Sequence, residues 1–492
     1  MNMKKTVILL AIAALFLCGC SDFLDIRTEA TMPSSGLDYT KPENIVMPLS
    51  AAYASMRLGE GESFNYVAVM EVASDDADKG SSPEDGPAVL AIDNFSLDPT
   101  NTCVADVWTY FYNIASSANY AIESMDKFAA AITSEEGLSQ VSECRGEAKI
   151  IRAWAYFNLL RIFGSVPYID RTMNSSELAS VKASGEEQLF AYINADMDDA
   201  IATVADYWDE YPGRYTSWTA RALKSRVALY QKDWKEAAAQ ADEIIKSGQF
   251  SLLPNFRKVF LMEGENSPEI LMSIQSSTLG QSDGDAPMNY YAFIQGPRNN
   301  SKANLQGWGF KVPSQALIDF FNSRSDAVRL QTTVLVRGTT TPEGDEISTL
   351  CENPYYNGKV YTPSRYNNWS YNAYGRDYDV RLIRYAEILL NYAEAVANGA
   401  PEGSISAEQA LNMVRERVGL SPVTLSIEAV QEERHAELAM EDNRFFDLVR
   451  WGIADKVLGP LGFIKGKNEH FPIPSAQRQL NPNLPATPGY NY

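Results

Sequence analysis

Apolar positions recur at three- and four-residue spacing through much of the chain, the period of amphipathic helices. "PENIVMPLSAAYASMR" predicts a first helix starting near Pro42. "DVWTYFYNIASSANYAIESMDKFAAAI" predicts another, with Ile114, Ala118, Ala121 and Met125 close to one face. In "EAKIIRAWAYFNLLRIFGSVPYI" a buried stripe of Ile150, Trp154, Phe157 and Leu160 ends at Gly164 and then Pro167, the order that stops helices. Residues 74–104 lack this period and are rich in Asp, Gly, Ser and Pro, which predicts irregular loop.

Farther on, "TSWTARALKSRVALYQKDWKEAAAQADEIIKSGQFSLL" predicts two helices joined by a tight turn at Lys232-Asp233. Small side chains at Ala220, Ala228, Ala237 and Ala241 let antiparallel helices approach closely. The unit is similar to a tetratricopeptide repeat, whose length is roughly 34 residues. A degenerate second copy appears in "RLIRYAEILLNYAEAVANGAPEGSISAEQALNMVRERVG", with a first helix to Gly399 and a partner opening at Ala407. Repeats of this kind bury their faces only against neighbours, so the earlier helices are expected to supply further pairs. Residues 276–380, between the two units, are Asn-, Gly- and Pro-rich and aromatic, and too long for a plain connector; such inserts carry function.

Composition narrows the classes. The chain has 492 residues, 45% apolar and 21% charged, a folded composition with a large core. Its net charge of −21 repels phosphate backbones, so nucleic-acid binding is excluded in practice. His435 and His470 are the only histidines, too few for a histidine-based metal cluster, and neither lies near a nucleophile elbow. Beyond the first twenty residues the cysteines are Cys103, Cys144 and Cys351, which do not form a disulfide framework. The acidic loop "SDDADKG" offers oxygen ligands of the kind calcium takes, yet it lacks EF-hand spacing and Lys79 opposes a cation. No cofactor is expected.

At the N-terminus, "MNMKK" precedes an eleven-residue apolar run, Val7 to Leu17, too short to span a bilayer. Leu17-Cys18-Gly19-Cys20 resembles a bacterial lipobox. The resemblance implies a signal peptide over 1–19 and lipidation of Cys20, because Gly19 is the small residue that cleavage requires. Such a chain is anchored to a membrane and does not span it.

One late segment imitates an active site. "ERHAELAMEDNRFFDLVRWG" combines acids, bases and a histidine, but Leu438, Phe445 and Leu448 face a core. Glu441–Arg444, Arg444–Asp447 and Asp447–Arg450 are each three apart, the spacing at which opposite charges meet on a helix. The expected role is structural, locking the C-terminal helix to its neighbours.

Taken in order, "CSDFLD", "EAKIIRAWAYFNLLRIFGSVPYI", "ALYQKDWKEAAAQADEIIKSGQFSL", "RLIRYAEILLNYAEAVA", "LNMVRERVGL", "EERHAELAMEDNRFFDLVRWG" and "FPIPSAQRQLNPNLPATPGY" resemble the SusD/RagB family of outer-membrane nutrient-uptake lipoproteins over essentially the whole chain. His435 and the "LPATPGY" ending depart slightly from the family pattern. The resemblance implies a mostly α fold over 20–492, with tetratricopeptide-like helix pairs supporting a loop-rich ligand face. It also implies capture of oligosaccharides, or alternatively oligopeptides, for a TonB-dependent outer-membrane porin, without catalysis. A glycoside hydrolase would instead need two carboxylates facing each other at roughly 5–10 Å, and no pair stands out. A peptide-binding scaffold on the repeats is the third class.

Sugar rings pack their C–H faces on aromatic rings and their hydroxyls on amides, carboxylates and guanidinium groups. By the family pattern the site combines the stretch before the second helix with the insert. The first supplies Asp75, Asp78, Lys79 and Asn101; the second supplies Tyr290, Tyr291, Arg298 and Trp308, with Trp369 and Tyr371 as further candidates. Trp308 lies between two glycines, which would leave its faces uncovered. "YWDEYPGRYTSW" is also aromatic, but it leads into a repeat helix and reads as packing.

Overall fold

The computed structural model describes residues 36–276, 290–301, 305–366 and 378–492. Cys20, Trp369 and Tyr371 lie outside these residues. A short 3-10 turn, Pro42–Asn44, leads into α1 (Val46–Ser55), which is followed by α2 (Glu60–Met70). The long hairpin of α3 (Thr102–Ala131) and α4 (Glu135–Phe163) comes next, and then α5 (Glu186–Thr203). The repeat helices are α6 (Ser217–Gln231) with α7 (Trp234–Ser247), and α8 (Tyr385–Ala397) with α9 (Ala407–Arg417). Helices α10 (Ile427–Leu438) and α11 (Arg444–Arg450) follow.

Consecutive helices α3 to α7 pack side by side, and α8 rests on α7 and then on α9 and α10, so the expected stack of helix pairs is present. Ala220, Ala228, Ala237 and Ala241 are buried between α6 and α7. Lys232 takes the left-handed conformation at the turn (φ 57°), and Asp233 caps α7 by accepting the Glu236 N–H. Helix α4 goes beyond an amphipathic stripe. From Gly146 to Phe163 every side chain except Lys149 is buried, because α1, α3 and α5 all pack on it. Most of its polar groups are therefore paired. Arg152 forks onto Asp196 at 2.7 and 2.8 Å, and Glu147 accepts from Tyr53 at 2.6 Å and pairs with Arg214. Gly164 ends the helix at φ 73°.

The strands are short, and four of them frame the insert: β1 (Ala77–Gly80), β2 (Ile270–Ile274), β3 (Phe310–Pro313) and β4 (Val380–Arg384), with β1 pairing β3 and β2 pairing β4, both antiparallel. The stretch 74–104 is thus less irregular than its composition predicts, holding β1 and a helix at Pro87–Asp93. The insert likewise contains helices at Gln315–Ser323 and Ala327–Thr333, capped by Ser314 and Asp326. Each is too short to stand out as a period. Among the described residues no helix is long and apolar enough to cross a membrane, and Cys103, Cys144 and Cys351 are free and buried.

The late charged segment is structural, as expected, but its pairing differs. Leu438, Phe445 and Leu448 are buried. The helix breaks after Leu438, where Met440 and Asp442 adopt positive φ (65° and 63°), so Glu441 and Arg444 do not share a helix. Glu441 faces Lys359 and Arg384, each at 2.7 Å, while Arg444 forks onto Asp75 at 2.7 and 2.8 Å. Of the three local pairs only Asp447–Arg450 forms, at 2.7 Å. The rest of the network is long-range. Arg329 reaches Asp326, Glu433 and Glu437 with no exposed surface, and Arg384 and Arg417 meet Glu269 and Glu437. Insert, strands, α9 and α10 are tied through these buried charges.

Candidate functional site

The β1–β3 pairing brings the two predicted loops together, with Ala77 opposite Pro313, Asp78 opposite Val312 and Gly80 opposite Phe310. The contact is close. Gly80 (φ 71°) has no room for a side chain beside the Gly309 carbonyl, which accepts the Ser81 N–H at 2.6 Å. Gly307 is constrained in the same way, since a Cβ there would collide with the Phe293 carbonyl and the Gly296 backbone. The glycines around Trp308 thus serve backbone approach as much as exposure of the ring.

Trp308 is half-buried. Its backbone N–H donates to Phe293 O at 3.1 Å, and its ring meets Phe293 and Phe64 edge-on, with centroids 5.8 and 6.2 Å apart. Phe293 also meets the half-buried Tyr290 at 6.4 Å, and Phe64 stands perpendicular to Phe310 at 5.0 Å. Phe64, Tyr290 and Trp308 therefore surround the buried Phe293 and Phe310 as one aromatic face. Phe64, on α2, was not singled out from the sequence; nothing in its local pattern separates it from a packing residue.

Polar groups border this face. The stem of Arg298 lies against Gly309, and its guanidinium reaches Ser81 Oγ at 2.9 Å and Asp85 at 2.6 Å. Hydrogen bonds from Ser82 and Ser81, with Arg298 beside it, hold the Asp85 carboxyl below its ordinary range. Asp78 is exposed on β1, with its carboxyl raised by partial desolvation.

The remaining candidates point inward. Lys79 donates to the Ser82 and Asp85 carbonyls at 2.8 and 2.9 Å and so shapes the loop. Asn101 caps α3 by accepting from Val104 N, and it donates to Ala88 O at 2.9 Å. Asp75 is held by Arg444. Tyr291 is 3% exposed and donates to Asp442 at 2.7 Å, with Lys311 against both. In the acidic loop, basic side chains stand beside the carboxylates, the His435 ring on Asp76 and the Arg444 guanidinium on Asp75.

Beneath the loops Glu71 is fully buried. Burial holds its carboxyl well above its ordinary 4.5, against the pull of Lys311, and Asp76 and Asp442 add to the rise. The folded protein thus keeps this proton more tightly than the unfolded chain. Stability is lost as pH rises from about 4.5 toward the raised value. Glu71→Gln, which cannot ionise, is expected to melt like the parent near pH 5 and higher than the parent near pH 8. Scanning calorimetry at the two pH values checks this; a parent that outlasts the variant at the higher pH would refute it.

A separate cleft lies elsewhere, a space of about 130 Å³ lined by Trp108, Tyr112, Ile169, Met173 and Leu480 among others. It contains none of the predicted residues. The Trp308 face holds predicted residues and lies where the two predicted loops meet, so it is the stronger candidate.

Comparison with known proteins agrees with the fold. A family model described as the SusD family matches residues 322–490, and one described as "Starch-binding associating with outer membrane" matches residues 22–229. SusD-like protein P2 of Formosa agariphila is 29% identical, covering 99% of this chain and all of its own length. Starch-binding protein SusD of Bacteroides thetaiotaomicron is 24% identical, covering 72% of this chain and 74% of its own. Among solved structures, a laminarin-binding SusD-like protein superposes with a TM-score of 0.78 at 26% identity, covering 91% of this chain and 99% of its own. Surface glycan-binding protein A from Bacteroides thetaiotaomicron, in complex with laminarihexaose, shares the fold with a TM-score of 0.76 at 22% identity, over 90% and 99% of the two chains. Motif order, helical architecture and both family models concur: the chain belongs to the SusD/RagB family.

Proposed function

We propose that this protein is a cell-surface lipoprotein that captures oligosaccharides and passes them to a TonB-dependent outer-membrane porin, without chemistry of its own. The observation that carries the reading is the aromatic face of Phe64, Tyr290 and Trp308, bordered by Asp78, Arg298 and Asp85 and assembled from two stretches more than two hundred residues apart. Names of relatives support the ligand class, since they include starch-, laminarin- and glycan-binding proteins. Family association with the outer membrane supports the location. A lipid on Cys20 would hold the protein beside its porin and raise the effective concentration of both, so that a weak interface suffices.

Two outcomes are expected together. The parent should incorporate labelled fatty acid, partition with outer membranes, be cut by protease on intact cells and co-purify with a large barrel in mild detergent. Cys20→Ala should be soluble and lose the barrel. A parent that remains protected on intact cells, or that never carries a barrel under several detergents, would contradict the reading.

A further inference from the structure

Tyr207 and Tyr211 are the most exposed large aromatic side chains among the described residues, at 69% and 60%, yet the loop that bears them is firmly held. Trp208 donates its indole N–H to Tyr215 O at 3.0 Å, and the Arg214 guanidinium lies 3.7 Å from the indole centroid while bonding Glu147. Arg214 N–H closes a turn onto Tyr211 O at 3.0 Å. Gly213 rests so closely on Gln275 that a side chain there would displace it. Packing thus accounts for Trp208 and Arg214 in "YWDEYPGRY", but not for two tyrosines four residues apart facing solvent on a fixed loop.

The loop is also linked through the core to the segment that carries Tyr290. Gln275 follows β2, the strand that leads into the insert. Tyr215 Oη contacts Met56 Sδ and Ser273 O, and Leu58 O accepts the Tyr290 N–H. From Tyr211 to Tyr290 the path is thus six residues of chain, at most about 21 Å extended, plus the side-chain contact of Tyr215 with Met56 and the backbone bond between Tyr290 and Leu58. Asp209 and Glu210 lie between the tyrosines. They can accept sugar hydroxyls, and within a chain of net charge −21 they repel anionic ligands.

We propose that the 207–214 loop is a second sugar platform, on which a neutral oligosaccharide long enough to leave the Trp308 face lays further rings against Tyr207 and Tyr211. This rests on the oligosaccharide-capture reading and gives it a ligand class, a neutral glycan longer than one face. Two exposed platforms imply about a five- to tenfold gain in affinity for long chains over short ones.

The test titrates the parent, Tyr207→Ala/Tyr211→Ala and Trp308→Ala with trisaccharides and long fragments of laminarin and of starch, and with a uronic-acid polymer of matched length. Both tyrosines are exposed, so the double variant should melt with the parent. It should lose about five- to tenfold in affinity for the long neutral chain and keep the parent's affinity for the trisaccharide, whereas Trp308→Ala weakens both. A double variant that binds the long chain like the parent, while Trp308→Ala is impaired, overturns the platform and leaves the capture reading standing. Tighter binding of the uronic-acid polymer overturns the neutral class. A parent that binds none of these glycans overturns the inference together with the reading beneath it.

Discussion

Arg329→Ala is expected to destabilise the protein by about 3–5 kcal/mol, the cost of leaving buried carboxylates without their counter-charge. The Arg329 side chain has no exposed surface, and it bonds Asp326 at 2.6 Å, Glu437 at 3.0 Å and the Val414 carbonyl at 3.2 Å, as well as Glu433. Water cannot take its place. Burial alone would raise the Glu437 carboxyl, but Arg417, Arg329 and Arg384 outweigh burial and hold it well below its ordinary 4.5. Stability from Glu437 is therefore present above about pH 4.5 and lost as pH falls through the depressed value. Removing Arg329 should lower heat stability most near neutral pH, and the gap from the parent should narrow as pH falls through the range in which the carboxylates take up protons. Thermal and acid melts of parent and variant check both, and a variant that melts with the parent would show that the buried network does not hold the insert to α10.

Trp308→Ala is expected to weaken oligosaccharide binding at least several-fold while costing the fold only about 1–2 kcal/mol. The ring is half-buried against Phe64 and Phe293, so some packing is lost. The backbone bond from Trp308 N–H to Phe293 O does not involve the side chain and should persist. Two or three half-buried platforms, facing hydroxyls that lose hydration on binding, are expected to give weak affinity, roughly micromolar to millimolar, or about −8 to −4 kcal/mol. Weak binding suits a carrier that must release its cargo. A variant that unfolds far earlier than the parent would make Trp308 a packing residue and move the site toward Trp369 and Tyr371.

The helical frame could be read before the structure because its signals are local. Ala220, Ala228, Ala237 and Ala241 mark a close helix pair, and Gly164 marks a helix end. The pairing of charges was not readable in this way. Glu441, Arg444 and Asp447 look like neighbours on one helix, yet the chain breaks at Met440 and Asp442, both of positive φ, so Glu441 lies outside the helix that Arg444 opens and Arg444 reaches Asp75. At the candidate site, residue type identified the two loops that meet, but not which side chains face outward. Tyr290 and Tyr291 are adjacent; one lies on the aromatic face and the other on Asp442. Lys79 and Asn101 carry the groups that a sugar would need, yet they use them on the Ser82, Asp85 and Ala88 carbonyls. Phe64 joins the face from a helix nearly 250 residues earlier in the chain, a contact no local pattern encodes.

The central claim is that the Trp308 face binds sugar chains, and isothermal titration of the soluble form lacking Cys20 tests it most directly. Parent and Trp308→Ala are titrated in parallel with plant, microbial and host oligosaccharides, their monosaccharides and a peptide set. The expected result is micromolar-to-millimolar binding of at least one oligosaccharide, no binding of its monosaccharide, and at least a several-fold loss in the variant. A variant that binds every glycan as the parent does, or a parent that binds peptides and no glycan, would contradict it.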